Sequence, residues 1–564
     1  MKKWEILKQL KSSKSKGRTT GNNSDESEII SILLQNRGIR TAREIKEYLN
    51  PTRPEKFAAG EVGIKSGDLN AAIARLVQAA KNKESVVVYA DYDADGITAG
   101  AVMWEALYAA GINAMPYIPH RVDEGYGLSK KGIAQISSEY KPTLIVTVDH
   151  GITGHVQVAY ARGLGIDVIV TDHHVKPEHL PDSIIVHTTL LSGAGVAWYT
   201  VKELYRHLKL GSDQVTGDFL GMAAIGTIAD MVPLTGINRS IVKFGLEWLN
   251  LTRRVGIRAL IDEAGLAQGR LGTYDISHVL TPRLNAMGRL VHAMDALRLL
   301  CTKNAAKAAE LAGVLGLTNR ERQQLTTDTA LHAVESVRSA GTYLSKKLLF
   351  VSDESYNQGI IGLVAGRLVD EYYLPAVVLS RGPDISKASA RSVTGFNIVE
   401  AIRTCSDILV DVGGHPMAAG FTVETKNIDT LRQRLEELAD RTLDADTLSR
   451  HLRIDMGIPL SAVTDTLWQK LRDFEPFGMG NPEPLFATVN LRIADVRKVG
   501  TDGRHLKLSV DDGSRVIDAI AFGFGGLYGS MEPGNSMDLA YTLDMNEWNG
   551  FRKLQLKVKD IRLT

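Results

Sequence analysis

Residues 86–96 read Val-Val-Val-Tyr-Ala-Asp-Tyr-Asp-Ala-Asp-Gly. An apolar run of strand length ends there in three acids at alternate positions, Asp91, Asp93 and Asp95. Carboxylates this close repel one another, and at the mouth of a sheet the repulsion is costly unless a divalent cation offsets it. The same DxDxDG run opens calcium loops of the EF-hand type, but those need flanking helices and a glutamate at the twelfth position, where this chain has Val102. Standing alone, the motif would also fit a solvated acidic turn.

It does not stand alone. The apolar residues 144–148 lead into Asp149-His150-Gly151, and residues 168–171 lead into Asp172-His173-His174. Strand-like runs at 85–90, 143–148, 167–170 and 183–186 alternate with helix-period segments, a pattern that predicts βαβ units and a parallel sheet. Parallel strands present their carboxyl ends on one edge, where open α/β sheets bind ligands, so three acid-bearing strand ends converge. A fourth acid, Asp230, sits in the apolar stretch Gly226-Thr227-Ile228-Ala229-Asp230-Met231-Val232-Pro233-Leu234. A buried aspartate is expensive unless it is paired, hydrogen-bonded or metal-bound. Many carboxylates with one or two imidazoles suit Mn²⁺ or Mg²⁺ better than zinc. Two such cations about 4 Å apart, bridged by a carboxylate such as Asp149, would activate water and stabilise the leaving oxygen of a phosphodiester. The expected reaction class is metal-dependent phosphoester hydrolysis.

Composition sets the frame around this edge. At one to two hundred residues per domain, 564 residues make roughly three to five domains. With 44% apolar and 23% charged residues, the chain is expected to be globular, not collagen-like, wholly disordered or membrane-embedded. The balance of 66 basic and 65 acidic residues leaves a net charge of +1, so a nucleic-acid partner must be met by a local basic patch. Two cysteines, Cys301 and Cys405, argue against a disulfide framework or a zinc finger and fit a reducing compartment. The amino terminus carries no secretory apolar core, and no run approaches the ~18 apolar residues of a membrane span. The expected location is the cytoplasm, with no membrane partner.

The expected organisation has five parts. Residues 1–69 comprise a mobile tail, polar and Ser/Lys-rich over 8–28, and a helical segment closing at Asn50-Pro51. Residues 70–245 hold the parallel sheet, and 246–335 a helical connector with a long helix over 303–330. Residues 336–450 form a smaller α/β lobe with strands at 348–351 and 375–379. From 451 to 564, short β-prone stretches separated by Asp502-Gly503, Asp512-Gly513 and Pro533-Gly534 predict a small β-barrel.

At this level the chain resembles the Asp-His-His (DHH) phosphoesterase superfamily and, within it, the RecJ exonuclease family. The matching strings are DYDADG (91–96), PHRVDEGYGLS (119–129), VDHG (148–151), TDHH (171–174) and GTIADMVPL (226–234), followed by PRLNAMGRL (282–290), SARS (389–392), GGHPMAAG (413–420) and PFGMGNPEP (476–484). They run in family order, with weaker similarity to the end of the chain. The resemblance implies a DHH domain, a long connecting helix, a DHH-associated substrate-binding domain and a carboxyl-terminal OB-fold. It further implies a binuclear centre of two Mn²⁺ or Mg²⁺ ions on Asp91, Asp93, Asp95, Asp149, His173 and Asp230, with His174 beside it as a phosphate contact or further ligand. Asp172 would orient the loop.

Arg283, Arg289, Ser389 and Arg391 are the implied contacts for a 5′-terminal phosphate and backbone; guanidinium suits that bidentate task. His415 would donate a hydrogen bond to phosphate, and Arg121 with Glu124-Gly125-Tyr126-Gly127 would line the channel, unless Tyr126 simply packs. Trp548 and Phe551, among Arg552, Lys553, Lys557 and Lys559, would stack bases over a charged groove. Two positions depart from the family pattern. His150 replaces a smaller or amide residue and is expected to pack, and Ala388 replaces a glycine.

The implied activity is a 5′→3′ exonuclease on single-stranded DNA that releases 5′-mononucleotides in recombination and repair, alongside single-strand-binding protein and a helicase. Two other readings stay open in the sequence. One is a DHH hydrolase of short oligonucleotides or cyclic dinucleotides; the other is a non-catalytic DNA-binding replication scaffold.

Overall fold

The computed structural model describes residues 2–10, 21–548 and 550–563. The chain forms two compact units, one of Arg53–Val232 with Ile237–Ser449, the other of Met1–Thr52, Pro233–Gly236 and Arg450–Thr564.

The larger unit opens with a five-stranded, wholly parallel sheet in the order Asn113–Tyr117, Ser85–Ala90, Leu144–Val148, Asp167–Asp172, Ile184–His187. Its central strands are mostly apolar and buried along nearly their whole length because helices cover both faces. On one side Ile133, Ile136, Val158 and Ala161 pack against Val87, Tyr89, Ile145, Val168 and Val170. On the other, the helices Ala94–Ala109, Gly193–Leu208 and Asp218–Ala229 pack on one another. Ala90, Val148 and Thr171 stand in register, so the residues that follow them share one edge. The sequence reading omitted the strand Asn113–Tyr117. Pro116 and two exposed residues mark it as an edge strand, which carries little apolar signal.

The connecting helix runs Ala305–Ser339, beyond the expected 303–330. It continues because Ala333 and Val337 extend a buried stripe that packs with Leu349, Val351, Ile361 and Val364 of the second lobe. That lobe has the sheet order Leu409–His415, Ala418–Glu424, Ile385–Arg391, Ala376–Ser380, Leu349–Asp353, in which the last two strands are parallel and the other neighbours antiparallel. Ala388 fits without a glycine: its methyl group is buried in the core that holds Val377, Leu379 and Phe421.

In the smaller unit, strands Phe486–Val499, His505–Asp511, Val516–Ala521, Phe551–Leu563 and Ser536–Trp548 close into a barrel when the first pairs with the last. Closure removes exposed sheet edges. The amino-terminal segment departs from the expectation of a mobile tail over 8–28. Lys3–Ile6 pairs in parallel with His451–Ile454. A helix begins at Gly21 and runs to Asn36; its Ile29, Leu33 and Leu34 join the barrel core with Met456, Leu460 and Leu467. Buried Glu26, within the stretch read as tail, accepts hydrogen bonds from Thr464 (2.8 Å) and Lys470 (2.8 Å). The apolar residues of this helix bunch in its second half, so its polar first half looks disordered in sequence. Residues 11–20 of the expected tail lie outside the described residues. Residues 233–236 also belong to this unit: Leu234 N donates to Met479 O (2.7 Å) within the 476–484 motif.

Candidate active site

The spacing of the three opening acids follows from a helix start. Asp93 caps the helix Ala94–Ala109, and its Oδ1 accepts from Asp95 N and Gly96 N, both at 3.0 Å. Asp95 lies in the first turn and points at a second helix start, accepting from Gly193 N (2.6 Å) and Ala194 N (2.9 Å). Two glycines permit the crowding. A Cβ on Gly96 would lie 2.6 Å from Asp91 Cβ, and one on Gly193 would lie 2.3 Å from Asp149 Oδ1.

Asp149 follows its strand in the left-handed region (φ 67°), a conformation that non-glycine residues rarely adopt and that often marks function. His173 Nε2 stands 3.2 Å from Asp149 Oδ1 and 3.6 Å from Asp230 Oδ2, Asp230 closing the helix Asp218–Ala229. Three ligand groups result, each with donor atoms within 4.8 Å of one another: Asp91/Asp93/Asp149, Asp95/His173/Asp230 and Asp149/His173/His174. Asp149 and His173 each belong to two of them.

The electrostatics call for cations. Burial, then repulsion from Asp93, pushes Asp95 up to about 7. Burial, then Asp95 and Asp93, pushes Asp230 up to about 8. Burial and the neighbouring carboxylates hold Asp91 and Asp149 well above the usual carboxylate range. Burial, then His174, lowers His173 to about 4, leaving a neutral imidazole suited to ligation. Asp91 Oδ1, Asp149 Oδ1 and His173 Nε2 are buried without a hydrogen-bond partner. Orphaned buried acceptors are rare, and hard divalent cations would satisfy these oxygens and this nitrogen together. The donor set fits the expected cations.

Asp172 supports the site. Its Oδ1 accepts from His173 N (2.6 Å), His174 N (3.1 Å) and His174 Nδ1 (2.8 Å), while Oδ2 accepts from Ile152 N (2.8 Å). Burial opposes ionisation, but these bonds keep Asp172 well below the ordinary range. Against burial, Asp172 in turn raises His174 to about 9. Tyr126, read from sequence either as lining the substrate channel or as packing, donates to Asp149 O (3.3 Å) and lies 3.1 Å from His174 Nε2. His150 packs as expected, donating through Nε2 to Tyr89 O (2.9 Å).

Near these acids, within electrostatic reach of Asp91 and Asp93, stands a group of arginines. Arg289 donates to Gly359 O (3.1 Å) and is lowered to about 10 by burial, then by Arg121, Arg322 and Arg391. Arg391 donates to Ser389 Oγ (3.3 Å) and Ala390 O (2.9 Å), and burial lowers it too. Arg121 lies over the Tyr92 ring at 5.1 Å. Among the described residues, none of Arg121, Arg289, Arg322 and Arg391 has a carboxylate within ion-pair distance. Unpaired, half-buried guanidinium charge is costly in the free protein and suited to phosphate.

Arg322 was not foreseen. Asn319 Oδ1 holds its Nε (3.2 Å) and Nη2 (2.9 Å), but in sequence the run Asn319-Arg320-Glu321-Arg322 resembles a solvated helix face.

The remaining candidates divide. Arg283 is not brought into the group: its Nε donates to Glu263 (2.6 Å), which Arg320 also pairs (2.9 Å). Six positions along one helix place Arg283 about 120° around the axis from Arg289. His415 ends its strand exposed, close enough for its charge to bear on His173. In the barrel, Trp548 and Phe551 are paired backbone neighbours, and Phe551 is 79% exposed. The Trp548 side chain lies outside the described residues. Arg552 and Lys553 are engaged by Glu547 (2.8 Å) and Asp518 (2.9 Å).

Comparison with known proteins follows the same division. Models of the DHH family N-terminal domain, the DHHA1 domain and the RecJ OB domain match residues 85–227, 341–441 and 454–560. The single-stranded-DNA-specific exonuclease RecJ of Bacillus subtilis is 36% identical over 545 residues, covering 94% of this chain and 67% of that protein. The protein of the same name from Salmonella typhimurium is 32% identical over 94% of this chain and 95% of its own length. The crystal structure of RecJ with Mn²⁺ from Thermus thermophilus superposes with a TM-score of 0.82 at 29% identity, covering 100% of this chain and 80% of that one. With its domains in family order and its acids converging on one sheet edge, the chain belongs to the RecJ exonuclease family of the DHH phosphoesterases.

Proposed function

We infer that the chain is a single-stranded-DNA-specific 5′→3′ exonuclease that releases 5′-mononucleotides in DNA recombination and repair. The observation that carries this reading is the proximity of two incomplete charge clusters, buried acids that want cations and half-buried arginines that want phosphate. Asp91, Asp93, Asp95, Asp149, His173 and Asp230 would hold two divalent cations, Mn²⁺ or Mg²⁺, which when bound would supply Lewis-acid chemistry for phosphodiester hydrolysis. Imidazole ligation favours Mn²⁺.

The chain's own groups do the positioning. Asp172 fixes the His174 ring through Nδ1, leaving Nε2 directed at Tyr126 and the substrate side. Arg289, Arg391 and Arg121, with Ser389, bind the 5′-terminal phosphate, and Arg322 adds charge from the connecting helix. A chain end fixed there sets its first phosphodiester against the acids, which gives release one nucleotide at a time. The barrel, with Phe551 exposed, binds single-stranded DNA by stacking on bases. Single-strand-binding protein and a helicase that exposes single strands are the expected partners, and the cytoplasm the expected location.

End-label mapping tests the reading. With Mn²⁺ or Mg²⁺, a 5′-labelled single strand should lose its label first as mononucleotide while a 3′-labelled one shortens progressively. Hydrolysis confined to dinucleotides, or undiminished in chelator, would overturn it.

A further inference from the structure

The loop 119–127 brings Tyr126 to Asp149 and His174 and Arg121 near Asp91 and Arg289, and one carboxylate ties that loop to the sheet. Tyr89 and Tyr117 are register partners on neighbouring strands, with rings 4.8 Å apart. Both donate hydrogen bonds to Glu124: Tyr117 lies 3.0 Å from each carboxylate oxygen, and Tyr89 lies 3.4 Å from Oε2. Glu124 Oε1 also accepts from His120 N (2.8 Å), and Oε2 accepts from the Ser129 hydroxyl (3.2 Å). Ser129 in turn caps the helix Lys130–Glu139 through Gly132 N (2.8 Å). Four neutral donors, from two strands, the loop and the next helix start, therefore meet on one side chain. Among the described residues no lysine or arginine pairs with it.

We propose that Glu124 is a positioning residue that latches this loop so that Arg121 stands beside Arg289 and Tyr126 reaches His174. Arg121 is the first residue of the short helix that Glu124 ends, and His120, its N-cap, donates its backbone N–H to the latch. Fixing Glu124 therefore fixes both ends of the turn that aims the guanidinium. A neutral arrangement would serve less well. An amide at this position offers one acceptor oxygen and turns a donor toward groups that are themselves donors. A carboxylate accepts from all four at once, and charge-assisted bonds are the stronger kind.

The proposal rests on the exonuclease reading, in which Arg121 contacts the 5′ phosphate, and a double-mutant cycle separates the two. Glu124→Gln in the full chain should raise KM for a 5′-phosphorylated single strand about tenfold, with kcat changed less than about threefold and the 5′-hydroxyl strand affected less. In an Arg121→Ala background the same change should alter KM less than about twofold, because the latch then has no guanidinium to aim. An equal, additive loss in both backgrounds, or a fall in kcat with KM unchanged, overturns the latch. If Arg121→Ala itself leaves the phosphorylated and hydroxyl ends undistinguished from wild type, the phosphate reading of Arg121 fails instead. Manganese-binding isotherms of each variant report whether the acid edge stays assembled. Should Glu124→Gln not fold, Tyr117→Phe removes one donor and must show the same KM effect, smaller and again dependent on Arg121; its absence refutes the proposal.

Discussion

The acid edge of the parallel sheet and the arginine group near it show the same electrostatic oddity with opposite sign. At the edge, Asp95 and Asp230 are driven up to about 7 and 8 because ionising them adds charge to a buried, already crowded place. In the arginine group, Arg289 is driven down to about 10 for the mirror reason. Neither cluster is neutralised by the other at ion-pair distance, although Asp93 lies near enough to favour the Arg289 cation. Structural ion pairs elsewhere in this chain differ: Arg283 and Glu263 satisfy each other, and Glu263 is held below the usual carboxylate range. Charge left unpaired in a folded protein is costly, and the proposed function gives each cluster its counter-charge, cations on one side and phosphate on the other.

Breaking the acid side should cost most. Asp149→Asn removes a carboxylate shared by two ligand groups, and kcat on a single strand should fall roughly a thousandfold or more. A variant that kept its turnover would detach the edge from the chemistry. The arginine side should cost less: Arg391→Ala removes charge-assisted bonds to a terminal phosphate, and kcat/KM for a 5′-phosphorylated strand should drop roughly 10- to 100-fold. The matching 5′-hydroxyl strand should change little, and an unchanged preference would remove Arg391 from the pocket.

The acid side also has a pH signature when free of cations. Asp95 (about 7), Asp230 (about 8) and His174 (about 9) all titrate above their ordinary values, so between about pH 6.5 and 9 the folded chain holds protons that the unfolded chain has released. Stability in chelator should therefore fall as pH rises through that window. The opposing shifts of His150 and His173, both to about 4, act only below about 6.5. Cation binding must expel those protons, so added Mn²⁺ should raise the unfolding temperature more at about pH 8.5 than at about pH 6.5. A flat profile in thermal melts would show that these acids are not confined as described.

Smaller effects probe the periphery. Phe551→Ala should weaken binding of long single strands by about 1–3 kcal/mol while leaving trinucleotide turnover intact, as measured by fluorescence anisotropy beside a short-substrate assay. Arg283→Ala, outside the arginine group, should lower the melting temperature but leave end preference within about twofold, since a partly exposed ion pair contributes little beyond the fold. Loss of end preference there would redraw the group.

Much of the acid edge was legible because its residues sit at strand ends, where a run of apolar residues stops at an acid and parallel topology supplies the convergence. The arginine group was legible only through resemblance. Arg289 and Arg283 look alike in sequence, and about 120° around one helix separates their fates. Arg322 was hidden because helix-borne arginines are ordinarily solvated. The amino-terminal helix was hidden for a different reason: its apolar residues Ile29, Leu33 and Leu34 find their partners at Met456 and beyond, more than four hundred positions along the chain.

Taken alone, the order of residues determined the parallel sheet, the acids that end its strands, the chemistry those acids invite and the division into lobes and barrel. These follow from local periodicity and from the short-range repulsion of like charges. Which arginines stand unpaired, which carboxylate latches the loop that carries Arg121, and where the first and last segments meet were decided only by the tertiary structure, because burial and the absence of a counter-charge depend on residues distant in the chain.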